Sequence, residues 1–170
     1  STTAFFNSTA DNQFMARVAN GAHFYSSSDL STGVELLAGA GAWSSVSDST
    51  KKKNIQNIDE EEILDKISGL PVYEWSYKAQ HDSIIHIGPM SQDFMKAFGY
   101  GESDKMISTV DIDGVNMAAL KALISKQEQL EEIYKSELER LRSRNAELEA
   151  EREDMWAKLR LIEKELATEK

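Results

Sequence analysis

The chain has 170 residues, 19 of them Lys or Arg against 29 Asp or Glu, for a formal net charge of -10 at pH 7, and it contains no cysteine. That length holds one core, or a small domain with an extended element, and hardly two full domains. The acidic excess argues against a nucleic-acid or anionic-membrane partner, and the absence of thiols excludes a disulfide framework and a thiolate metal site.

The three histidines, His23, His81 and His86, fall at spacings unrelated to metal-ligand patterns, so neither metal nor cofactor is expected. There is no apolar run of about 18 residues and no charged-then-apolar leader, which reads as a soluble chain excised from something longer, with no membrane partner. Residues 1–46 carry only four charges, Asp11, Arg17, Asp29 and Glu35. Short apolar or alternating runs, "FMARVA", "AHFYS" and "GVELLAG", are separated by the turn signals "ANG", "SSSDLSTG" and "GAGA". They predict short β-strands. With so few long apolar side chains the segment cannot bury a core alone, so it reads as the end of a larger β-structure or part of an oligomer. Gly39 and Gly41 lack the Gly-Lys-Ser/Thr continuation of a phosphate loop, and Asn7 in "NST" is a sequon that nothing else places on a secretory route.

From Ser47 to Asn116 the grammar is mixed. "DEEEILDKISGL" predicts a helix capped by Asp59, with glutamates at the positive end of its dipole, ended by Gly69 and Pro71. "PVYEWSYK" alternates like a strand, with Tyr73, Trp75 and Tyr77 expected to pack a core or a chain interface. "IIHIGPM" reads as a strand running into a Gly-Pro turn. "SQDFMKAFG" reads as a helix closed by Gly99, with Gln92 and Asp93 as hydrogen-bonding anchors. "DIDG" lacks the further oxygens of a calcium loop and is read as a turn in which Asp113 caps the final helix.

From Met117 to Lys170 there is no proline or glycine, and one long helix is predicted. Leu138, Leu141, Asn145, Leu148, Arg152, Met155, Leu159, Ile162 and Leu166 step by three and four, the a/d seam of a coiled coil. The same frame runs back through Tyr134, Glu131, Gln127, Ile124 and Leu120, so the seam weakens in the middle. Of the g-to-next-e pairs, Glu137 with Arg142, Arg144 with Glu149, and Lys158 with Glu163 are opposite in sign, and Glu151 with Trp156 is not; this suits parallel in-register strands. A single amphipathic helix packed on its own domain is the competing reading, and the seam leaves dimer against trimer open. The expected fold class is α+β: a short β-rich stem end, a small mixed α/β unit, and a long C-terminal helix forming a parallel coiled coil.

The junction of the first two segments is "WSSVSDSTKKKNI". Its only nucleophiles are hydroxyls and its only bases are amines. A serine hydroxyl needs a base to take its proton, and a lysine serves only as the neutral amine, which adjacent cations and burial favour. A residue five positions on lies on the wrong face of both strand and helix, so Ser47 and Lys52 meet only if "DST" turns the chain. Ser47 would then reach the carbonyl just before it, that of Val46, by proximity alone. On composition, a solvated linker is the stronger reading of this stretch.

Four motifs in order change that balance: "SDSTKKKNI", "ILDKISGLPVYEWSYK", "HIGPMSQDF" and "FGYGESDKMISTVDIDGVNMAALKAL", followed by the coiled coil. Together they resemble the C-terminal intramolecular chaperone domain of phage tail spikes, tail fibres and neck appendage proteins, the S74 peptidase family. The resemblance implies a homotrimer whose chaperone registers the β-rich stem of its own chain, then cuts itself free immediately before the serine of S-D-x-x-x-K. Carried over by position, Ser47 is the nucleophile, Lys52 its base and Val46–Ser47 the cleaved bond, with Asp48 and His86 as supporting residues. Lys51 and Lys53 are neighbours of the base. Ile85 stands where many relatives have a basic residue. The expected organisation is residues 1–46 as stem end, 47–116 as chaperone core and 117–170 as coiled-coil helix. Assembly would take place in the host cytoplasm, the stem going on to the virion. Rival readings are a trimerising foldon that never cuts and a receptor-binding fibre tip.

Overall fold

The computed structural model describes residues 8–168; the Asn7 sequon lies outside the described residues. The chain forms two compact units, Ser1–Ile58 and Asp59–Lys170.

In the first unit, β1 (Ala22–Tyr25), β2 (Gly33–Leu36) and β3 (Ser44–Ser45) form an antiparallel sheet in the order β1-β2-β3. Ala22 opposes Leu36 and Tyr25 opposes Gly33, while Val34 opposes Ser45. The β1–β2 connection is tied by its own hydroxyls: the Ser27 Oγ accepts from the backbone N–H groups of Ser31 (2.9 Å) and Thr32 (3.1 Å). Hydroxyls of Ser31 and Ser27 hold the Asp29 carboxyl down at about 2. One sheet face carries His23, Tyr25 and Glu35, with the Tyr25 hydroxyl donating to Glu35 at 2.6 Å. On the other, Phe24 meets Trp43 edge-on at 5.5 Å. None of residues 8–58 is buried, as expected for a segment with too little apolar surface to close a core. "AHFYS" and "GVELLAG" are strands as predicted; "FMARVA" is not, and Phe14 stands 90 % exposed. Alternation marks a face, but a strand also needs a partner ladder, and residues 14–19 have none.

The second unit follows the predicted order closely. Helix α1 (Glu60–Ser68) starts where the Asp59 carboxylate accepts from Glu62 N–H (3.0 Å) and stops at Gly69. Strands β4 (Tyr73–Trp75) and β5 (His86–Gly88) pair as an antiparallel hairpin, Trp75 opposite His86. Helix α2 (Ser91–Phe98) ends at Gly99, whose φ of 68° is the left-handed conformation that favours glycine. Of the expected anchors, Gln92 accepts from the Ser91 hydroxyl through its Oε1 at 3.4 Å, and the same hydroxyl donates to the Asp104 carbonyl at 2.8 Å.

Helix α3 runs as one element from Thr109 to Thr168. It therefore starts before Met117, and "DIDG" lies inside it rather than forming a turn; Ser108 is the cap, with its hydroxyl accepting from Val110 N–H at 3.2 Å. The early turns are helical because they are docked: Val115, Ala118, Ala119 and Ala122 are buried, the first three in one cluster with Ile63, Phe94 and Phe98. Alanines at these positions let α1 approach closely, and Lys121 and Lys126 add ion pairs to Glu60 and Asp65. Packing of this kind outweighs the roughly 1 kcal/mol cost of Gly114 inside a helix. From Gln127 to Glu165 every residue is exposed. The fold is thus mixed α/β, with two small antiparallel sheets and a long C-terminal helix.

Since Phe94 is 2 % exposed at the centre of this cluster, Phe94→Ala should destabilise the second unit by about 3–5 kcal/mol, read from urea unfolding followed by far-UV dichroism. Asp59→Ala, which removes only a cap, should cost about 1 kcal/mol in the same assay.

Candidate functional site

Between β3 and the second unit the chain makes a single 3-10 turn, Ser49–Lys51. Asp48 caps it: its backbone is extended (φ -68°, ψ 127°), and its carboxylate Oδ1 accepts from both the N–H (2.8 Å) and the hydroxyl (2.9 Å) of Thr50. Backbone bonds from Lys51 N–H to the Asp48 carbonyl (3.0 Å) and from Lys52 N–H to the Ser49 carbonyl (3.2 Å) close the turn. Three residues of tight helix are what five-residue spacing requires to bring two side chains together. The Lys52 Nζ donates to the Ser47 Oγ at 2.8 Å.

Both residues are exposed in the single chain. Asp48 reaches neither partner; it holds the turn that joins them. Thr50, which supplies both of the carboxylate's bonds, is the last residue of "DST", and an Asp side chain that accepts from the backbone N–H two residues on makes an Asx turn. Upstream, the half-buried Val46 donates its N–H to the Gly33 carbonyl at 3.0 Å, one residue beyond the end of β3. This contact depends on which residue of β2 stands opposite, which no single strand's sequence states.

His86 sits in the second unit, and its contacts there are those of a packed histidine. Its Nε2 is 2.8 Å from the Gln80 Oε1, its ring stacks on Trp75 (4.7 Å) and Tyr77 meets it edge-on at 5.4 Å. Ile85 beside it is exposed. Tyr73 and Tyr77 are exposed too, so of the alternating aromatics only Trp75 is substantially covered. Among the described residues no group of three His, Asp or Glu side chains is arranged to hold a metal ion, and no helix is long and apolar enough to cross a membrane.

Residues 47–100 match the family model of peptidase S74, described as the chaperone of endosialidase, and the match begins at Ser47. No curated protein and no solved structure matches the chain.

The Asp48 carboxyl is held below the usual aspartate range, first by the Thr50 N–H, then by the Thr50 hydroxyl, and also by the Lys51 charge. A depressed folded-state value means that the cap contributes fully above the unfolded aspartate pKa and is lost as pH falls through the folded one. The Thr50 amide proton should accordingly titrate in NMR with a midpoint below about 3.9 and stay flat from there to neutrality. In Asp48→Asn the acid step should vanish.

Proposed function

We propose that this chain is a self-releasing intramolecular chaperone: it assembles as a trimer through α3, registers the β-rich segment ahead of it, and then cuts its own backbone between Val46 and Ser47. The observation that carries this reading is the 2.8 Å contact between the Lys52 Nζ and the Ser47 Oγ at the first residue of the S74 match.

In the cutting step Lys52, as a neutral amine, takes the Ser47 hydroxyl proton while the Oγ bonds to the Val46 carbonyl carbon. The carbon–nitrogen bond between Val46 and Ser47 breaks, and the Lys52 ammonium returns the proton to the departing Ser47 nitrogen. Water then hydrolyses the resulting ester, leaving a Val46 carboxylate and a free Ser47 hydroxyl. Nucleophile and carbonyl belong to adjacent residues, so proximity replaces substrate binding. His86, held by Gln80 and Trp75, serves the hairpin in this scheme and takes no proton.

The resting contact has the wrong polarity for this, because an ammonium in water donates to the hydroxyl and cannot accept from it. Covering Lys52 with a neighbouring chain removes that water and favours the neutral amine. Assembly is thereby the gate. The means of assembly is α3: a bare helix of this length lacks packing to sustain it, and its seam residues Leu138, Leu141, Leu148, Met155, Leu159 and Ile162 are all exposed in one chain. The g-position charges Glu137, Arg144 and Lys158 pair inside their own helix, with Arg140, Glu147 and Asp154, and would exchange those partners for e-position charges across the seam. Such exposed pairs choose orientation more than they add stability. A coiled coil forms from local contacts and concentrates the chains, whereas inter-chain β register is slow to find.

Mass spectrometry of the freshly purified chain should show fragments ending at Val46 and starting at Ser47. Ser47→Ala should stay whole, and Lys52→Met should cut slower by about 10²- to 10⁴-fold. The rate should rise with pH, in the direction of amine deprotonation. Leu141→Asp with Leu148→Asp should give monomers in ultracentrifugation that do not cut. A wild-type chain that remains whole as a trimer would mark a structural clamp without peptidase activity.

A further inference from the structure

The cutting chemistry proposed above concerns Ser47 and Lys52, but a peptide bond must also be held still while it is attacked. The bond at issue joins Ser47 to Val46, and Val46 is tied backwards into the sheet. Its N–H donates to the Gly33 carbonyl at 3.0 Å, continuing the β2–β3 ladder of Glu35 with Ser44 and Val34 with Ser45.

Gly33 is itself committed on its other edge. It opposes Tyr25 in β1, and a Cβ added to it would collide with the Phe24 carbonyl oxygen and lie 2.9 Å from the Tyr25 Cα. Both are backbone atoms, so no side chain can swing aside to make room. Gly33 therefore permits β1 to lie against β2 at the one residue whose carbonyl also holds Val46. The β1–β2 pairing and the fixing of Val46 meet in a single peptide unit.

Resting on the proposed self-cleavage, we propose that Gly33 is a positioning residue for that reaction: through its carbonyl, the folded β1-β2-β3 sheet presents the Val46–Ser47 bond to Ser47. Before the sheet forms, Val46 samples many backbone conformations, and the Ser47 Oγ seldom meets the Val46 carbonyl carbon on a productive approach. Once it forms, Val46 is fixed on the upstream side and the Asp48 turn fixes Ser47 on the downstream side. The bond thereby becomes cleavable in proportion to how completely the upstream segment has folded. This control acts on the substrate peptide and is separate from any change at Lys52.

The test uses the full chain. Gly33→Ala should slow cutting by roughly tenfold to a hundredfold, the range expected for losing alignment without losing a reacting group. Because that substitution also strains the sheet, a second pair isolates the hydrogen bond. Val46→Pro removes the N–H while keeping Ser45 extended, and Val46→Ala keeps the N–H while removing the side chain. Val46→Pro should cut at least tenfold slower than Val46→Ala. The pH midpoint of the rate should be the same in all four chains, since the Ser47–Lys52 pair is untouched. In uncuttable Ser47→Ala chains, hydrogen exchange at the Val46 amide should be protected, and protection should vanish when Gly33→Ala is added. If wild type cuts and Val46→Pro matches Val46→Ala, or if the Val46 amide exchanges freely, the positioning role is wrong while the Ser–Lys mechanism stands. Wild type that never cuts overturns the mechanism, and this role with it.

Discussion

A serine and a lysine five residues apart touch only if the chain between them doubles back, and the Asp48 carboxylate is what makes it do so. By accepting two bonds from Thr50 it fixes the first turn of a 3-10 segment too short to persist by itself. Every functional statement about the junction rests on that cap. It is a local device, independent of either compact unit's core, so the pair can exist before the rest of the molecule is finished. Geometry is thus available early, and what must come later is the removal of water and the fixing of the peptide.

Much of the chain's apolar surface is exposed. Among the described residues the first unit buries none, and the second buries one small cluster where α1 and α2 meet the start of α3. The remaining length of α3 is exposed, with an apolar stripe and complementary charges along it. A single helix of that kind is marginal in water, whereas several side by side bury the stripe at once.

Much of this was legible from residues alone, for reasons that can be named. Asp59 and Gly69 bracket α1, and Gly99 stops α2, because caps act through the backbone within one turn and need no distant partner. "DST" announced the turn for the same reason. What could not be read depended on contacts between segments. "FMARVA" has strand-like alternation, but alternation does not state whether a neighbour is present to complete the ladder. "DIDG" reads as a break, yet it is helical because Val115 and Ala118 four and seven residues after Asp111 are drawn into the Ile63 and Phe94 cluster. Burial overrode propensity there. The tie from Val46 to Gly33 is invisible for a third reason: register is a property of two strands, and one strand's sequence does not contain it.

The last rung of the β2–β3 ladder falls on Val46 and not a residue sooner. A chain severed just beyond that rung carries no dangling tail: its new carboxylate is the end of the sheet. Loose ends are where exopeptidases begin and where fraying spreads inward. An end trimmed flush in this manner would offer neither of them a foothold.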